Sequence, residues 1–350
     1  MELAKINTTY FCGIDLHGRN MYVCIVDKEG TILFHRNLHN DFKLFKSSIQ
    51  KFLPDISVGV ESMYCYYWLA DACRSESIPF YLGHAYYMKA IHGGKKKSDR
   101  IDSKTIADLM RCNHFPLAYP YPREMRGTRD LLRRRQRFAR LRAECYAHIQ
   151  IIFMQHAIPI SPADVKDKRN RRNLIQLHND PDVQMSIATN LDMIDFLDPI
   201  IKKLEQNIRV RAKQHDRTAL NILLSVPGIG DMLSLVILYE CHQIDRFPSP
   251  QKFSSYARLV KCKHTSNGKI TKGGNPKIGN PYLKWAIGDI IVQAARTSPL
   301  IQKYYQNLQA RFGKARAKSI IAHKFGVAIY YMLKNKQCFN EKRFVQASMN

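Results

Sequence analysis

Four acidic residues in the first third of the chain, Asp15, Glu61, Asp99 and Asp102, have the types and positions that divalent-metal chemistry needs. Asp99 and Asp102 stand three residues apart in GKKKSDRIDSKTIADLM, residues 94–110, directly after Lys95, Lys96 and Lys97. On a helix that spacing puts both carboxylates on one face, about a turn apart. Like charges that close repel, and a metal ion, a basic partner or solvent must relieve them. Mg²⁺ or Mn²⁺ suits hard oxygen ligands and is commonly shared between carboxylates and a substrate phosphate. Two such ions can activate an attacking oxygen and stabilise a leaving one. Asp108 lies six positions past Asp102, about 120° off its face, and is left out. Taken singly, each acid reads as a solvated charge or a helix cap. The four together at element ends reverse that.

The elements that must position them are legible. YFCGIDLHGRNMYVCIVDKEGTILFHRNL, residues 10–38, has apolar β-branched runs broken at DLHGRN and DKEG, which predicts three antiparallel strands with Asp15 ending the first. Phe42, Phe45, Ile49 and Phe52 keep helical spacing. ISVGVES is a short buried strand ending in Glu61; MYCYYWLADACRSE reads as helix, IPFYLGH as strand, and a further helix starts around Ser98. The order β-β-β-α-β-α-β-α predicts an α/β class. Strand ends and helix starts on one edge of such a sheet converge.

Residues 121–215 read as a basic helical region. Nine arginines lie between Arg123 and Arg142, and Leu131, Phe138, Cys145 and Ile152 recur every seven residues. After the polar stretch SPADVKDKRNRRN, a second helix carries Ile187, Leu191, Ile194, Ile201, Leu204 and Ile208, interrupted by Asp198. Two such seams predict an antiparallel coiled coil or a dimer contact, with a compact helical subdomain as the plain alternative. Residues 216–350 form a mainly α third region. LLSVPGIGDMLSLVILYE predicts a helix-hairpin-helix that offers backbone N–H groups to phosphate, or equally a tight turn between core helices. KCKHTSNGKITKGGNPKIGNPYLKWAIGDIIVQAAR predicts a Gly-, Asn- and Lys-rich loop entering a helix near Pro281.

Composition points to a polyanionic partner. The 350 residues are 45% hydrophobic and 24% charged, with a formal net charge of +26 and a pI near 9.8. Such charge draws nucleic acid through counterion release, with an anionic membrane surface as the runner-up. Arg133, Arg134, Arg135, Arg137, Lys269 and Lys272 are the expected phosphate contacts. The nine cysteines include no C-x-x-C pair, no run has the length of a membrane span, and MELAKINTTYFCG lacks a signal-peptide core. These features predict reduced thiols, no membrane and a cytoplasmic location.

GIDLH, VGVES and KSDRIDSKTIADLM resemble the DEDD motifs of the IS110/IS1111 family of transposases; LLSVPGIG, FPSPQKFSSYARLV, SNGK and GNPYLKWAI are similar to that family's C-terminal domain. The resemblance covers nearly the whole chain in order. It implies an RNase H-like (RuvC-like) catalytic domain over 1–120, a helical coiled-coil region over 121–215 and a transposase domain over 216–350. It implies an acidic tetrad of Asp15, Glu61, Asp99 and Asp102 holding Mg²⁺ or Mn²⁺, and a nucleophilic serine at Ser266, with Thr265 as fallback because Asn267 stands where the family has glycine. It further implies a bacterial or archaeal transposase that recombines donor and target DNA through a phosphoserine link, guided by a structured element-encoded RNA and working as a dimer or tetramer. Two other classes stay open: a RuvC-like metal-dependent nuclease or junction resolvase using water, and a nucleic-acid-binding protein with a degenerate site.

Overall fold

The computed structural model describes residues 2–91, 98–212, 215–260, 263–266, 269–273 and 278–346. The chain divides into two compact units, Met1–Glu124 and Met125–Asn350.

The first unit is built on a five-stranded mixed sheet. Strands β1 (Tyr10–Leu16), β2 (Asn20–Val26) and β3 (Ile32–His39) form the expected antiparallel set. Strand β4 (Ile56–Glu61) joins β1 in parallel and β5 (Phe80–Gly83) joins β4, giving the order β3-β2-β1-β4-β5. Helices α1 (Phe42–Ile49) and α2 (Tyr67–Ser75) link the parallel strands. Beyond β5, α3 (Ala85–Ile91) precedes α4 (Asp99–Arg111), one helix more than the sequence pattern resolves. Central strands β1 and β4 are buried on both faces, which explains their unbroken apolar runs. Ser98 caps α4, its Oγ accepting from the Ile101 amide at 3.3 Å.

Glycines let α4 lie directly on the sheet. A Cβ at Gly13 would come within 2.2 Å of the Ser103 carbonyl oxygen and 2.3 Å of the Ala107 nitrogen; one at Gly59 would meet the Met110 sulfur at 2.2 Å. The absent side chains let α4 pack from Ser103 to Met110 directly on β1 and β4.

The second unit is helical. Long helices α5 (Arg123–Gln155, whose first two residues belong to the first unit) and α7 (Pro181–Ala212) run antiparallel. Arg135 pairs with Glu205, Arg142 with Asp198 and His148 with Asn190, the partner's number falling as the first rises. Ile149, Ile152 and Phe153 pack with Ile187, Leu191 and Ile194. Asp198, which breaks the apolar pattern, is an ion-pair site: it holds Arg142 at 2.6 Å and Lys168 at 2.7 Å. The stretch read as a polar loop contains α6 (Pro162–Lys166), started by a capping box at Ser161.

Helices α8 (Arg217–Leu224) and α9 (Asp231–Cys241) flank the Pro-Gly-x-Gly turn. Every residue of α9 from Leu233 onward is buried, so it is the centre of this unit's core. Around it lie α10 (Pro250–Tyr256), α11 (Pro281–Thr297), α12 (Pro299–Phe312), α13 (Lys314–Lys334) and α14 (Glu341–Gln346). At Gly228, with φ of +75°, a Cβ would sit 2.6 Å from the Gln293 backbone on α11, so the turn packs against core helix.

Candidate active site

In the first unit, Asp15 near the end of β1 and Asp99 at the start of α4 converge, as expected from their places on the sheet. A third group completes them. His17 Nε2 lies 3.2 Å from Asp15 Oδ2 and 3.5 Å from Asp99 Oδ1. The potential ligand atoms of Asp15, His17 and Asp99 all fall within 4.8 Å of one another.

Asp102 and Glu61 stand at the margin of this group. Asp102, one turn along α4, is near enough for its charge to act on Asp15. Glu61 ends β4, one step beyond the Ile14–Val60 pair, and therefore beside Asp15 on the adjacent parallel strand. Asp108 points elsewhere, bonded to Lys104 at 2.6 Å and 3.6 Å from Arg111.

Asp15 carries the strain of the arrangement. Burial holds its carboxyl above the ordinary carboxylate range; His17 pulls the other way, and the charges of Asp102 and Asp99 add to the rise. Only 14% of its side chain is exposed, against 57% for Asp99. Two carboxylates and an imidazole at this spacing fit a divalent cation, whose charge would relieve the half-buried Asp15. Positioning is shared with β3: His35 Nε2 lies 3.0 Å from the Arg100 carbonyl and 3.2 Å from Ser103 Oγ.

His17 escaped the sequence reading although it sits in the quoted motif. The usable signal was its spacing: two positions on, extended chain returns to the same side, and His17 stands just past the end of β1.

In the second unit, the segment read as a loop contains a hairpin. Strands β6 (Lys263–Ser266) and β7 (Lys269–Gly273) pair antiparallel, with Ser266 opposite Lys269, Thr265 opposite Ile270 and His264 opposite Lys272. Residues 267 and 268 lie outside the described residues. The sequence between the strands is Asn-Gly, the strongest short hairpin signal, and it corrects the loop reading.

The arginine cluster divides. Arg133 and Arg135, expected at phosphates, are engaged inside the protein. Arg133 Nε donates to Glu240 at 2.6 Å and its guanidinium lies 4.4 Å from the Tyr282 ring centre. Arg135 holds Glu205 at 2.6 Å. Arg134 and Arg137 are exposed. For Arg133 the reason is Glu240, which is buried on α9 and can be carried there only with basic partners. Arg129 Nε also donates to it at 3.0 Å, and Asn280 Nδ2 at 2.8 Å. Asn280 in turn caps α11, accepting from the Tyr282 and Leu283 amides. This network anchors the end of the segment that carries Ser266. Burial alone would raise the Glu240 pKa; the bond from Arg133 and the charges of Arg129 and Arg133 outweigh it, leaving the carboxyl below its ordinary value.

Comparison with known proteins agrees across both units. Residues 12–156 match a family model for DEDD-type IS110 transposases. Residues 220–306 match the model described as Transposase IS116/IS110/IS902 family. A Streptomyces coelicolor protein described as the insertion element IS110 uncharacterized 43.6 kDa protein is 27% identical over 120 residues, which cover 34% of this chain and 29% of that protein.

Proposed function

Because the chain belongs to the IS110 family of transposases, we propose that it cuts and rejoins DNA through a covalent phosphoserine intermediate, with an RNase H-like first unit supplying a divalent-metal site. The observation that carries this reading is the convergence of Asp15, His17 and Asp99, with Asp102 and Glu61 alongside. A half-buried acidic group of this kind is costly in a merely structural role.

The chain's own residues divide the work. Asp15 and Asp99, with His17, would hold Mg²⁺ or Mn²⁺, and Asp102 and Glu61 complete the tetrad. The bound cation supplies Lewis-acid stabilisation of charge at the scissile phosphate. Ser266 is the nucleophile: its oxygen bonds to phosphorus and the bond from phosphorus to one strand's hydroxyl oxygen breaks. The serine proton ends on that leaving oxygen. Phosphodiester energy is kept in the link for rejoining. The reaction draws on Ser266 and on the acidic group, and the working form is a dimer or tetramer. Lys269, Lys272, Arg134 and Arg137 hold DNA and guide-RNA phosphates, and base pairing of the guide RNA with donor and target DNA reads sequence.

The test is a denaturing gel with nicked suicide DNA. Wild type with Mg²⁺ or Mn²⁺ forms a protein–DNA adduct; EDTA, Asp15→Asn and Ser266→Ala each abolish it while DNA binding persists. An adduct kept by Ser266→Ala but lost in Thr265→Ala moves the nucleophile by one residue. Cleavage without adduct, unaffected in both variants, replaces the recombinase reading with a water-using nuclease.

A further inference from the structure

We propose that a groove between α11 and α13 in the second unit binds a single-stranded DNA segment, one unpaired base stacking on Trp285. This deepens the DNA-strand-transfer reading and rests on it. The groove encloses about 570 Å³, within the range of small-ligand sites. Trp285 and Val292 of α11 form one side, with Ala315, Ser319 and Ala322 of α13 opposite. Lys284, Lys318 and Arg258 bring three cations to the lining, against one carboxylate, Asp289.

Gly288 carries the argument. It sits in the middle of α11 and lines the groove. Glycine inside a helix is unfavourable relative to alanine, so it needs a compensating reason. Gly326 on α13 has one, since a Cβ there would meet Leu259 Cδ1 at 2.4 Å. Gly288 does not: among the described residues, a Cβ at this position meets nothing within 4 Å. The missing side chain leaves depth in the groove that no described part of the protein fills.

The lining names the occupant. An indole offers a sequence-tolerant platform for a nucleobase, and ammonium groups beside it suit the phosphates on either side, the combination that single-strand binders use. Trp285 is half-buried, packed partly on the core with the rest at the groove. Among the described residues, neither Lys284 nor Lys318 is in a salt bridge. Pro281, at the groove's end, begins α11 just after the segment that carries Ser266. Cutting at the serine would free a DNA strand, and that strand is the single strand proposed for this groove.

The chain has two tryptophans, Trp68 and Trp285. In a Trp68→Phe protein, Trp285 alone reports. The probe is a short fluorescein-labelled oligothymidylate, used in EDTA on a Ser266→Ala background so that no chemistry intervenes. An unlabelled oligothymidylate should quench Trp285. Gly288→Leu should weaken oligothymidylate binding about ten-fold, the loss of one stacked base, with Tm no lower than that of the parent. Gly288→Ala should keep or raise Tm. Absence of quenching, or a Gly288→Leu protein that binds the oligothymidylate as the parent does, overturns the groove. Oligouridylate that binds tighter and displaces oligothymidylate overturns the assignment to DNA. Adduct formation by the Ser266-containing protein is scored separately, so failure of the groove and failure of the serine reading give different results.

Discussion

Asp15 is an ionisable group whose burial, together with two neighbouring carboxylates, opposes the charge that its proposed metal-binding role requires. Without metal, neutralising it should relieve the fold. Asp15→Asn is expected to raise Tm at pH 7 in chelator, because the ionised carboxylate costs stability once pH exceeds its raised pKa. In Mg²⁺ or Mn²⁺ the order should reverse: wild type gains Tm through linkage and the variant does not. Thermal melts with and without EDTA measure both, and an equal Tm for the two proteins in both buffers would remove the metal-site reading of this cluster.

Elements are held in register by partners distant in sequence. Gly13 lets α4 touch β1, and Glu240 on α9 ties α5 to the cap of α11. Breaking a buried pair by removing one charge strands the other, so Glu240→Gln should cost about 3 kcal/mol. The pH dependence follows from the lowered Glu240 pKa. Between its folded and ordinary values the unfolded state binds more protons, so this contribution is present above the ordinary value and lost as pH falls through the folded one. Urea titrations across acidic pH should show the gap between wild type and Glu240→Gln closing as pH drops through that window. A gap that stays constant would mean the ion pairs contribute nothing to it.

At the scale of the whole molecule, the proposed function and a net charge of +26 together predict nucleic-acid affinity that falls steeply with salt. The structure separates the exposed arginines from those engaged inside the protein. Arg134 and Arg137 are exposed, and replacing both with alanine should flatten the slope of log affinity against log salt by about two. Arg135→Ala should instead lower Tm and leave the slope alone, because its charge is spent on Glu205. A slope change in Arg135→Ala matching that of the exposed pair would show that the Glu205 pairing opens on binding. Among the described residues, no helix is long and apolar enough to cross a membrane.

The sequence by itself determined the succession of strands and helices in the first unit, the start of α4 near Ser98 and the edge on which Asp15 and Asp99 meet. These follow from apolar periodicity, turn residues and caps, which act over a few neighbouring positions. It also carried the dipeptide Asn-Gly beside Ser266, a hairpin signal, where the Gly-, Asn- and Lys-rich composition reads as a loop. Tertiary structure alone decided the rest. His17 joins the acids because glycine at position 13 admits α4 to the sheet, and no local pattern states where a helix will land. Arg133 is drawn inward by a glutamate 107 residues away and Arg135 by one 70 residues away. An arginine on a basic helix looks the same in sequence whether its partner is a phosphate or a buried carboxylate. The cost of burying that carboxylate alone is what settles the choice.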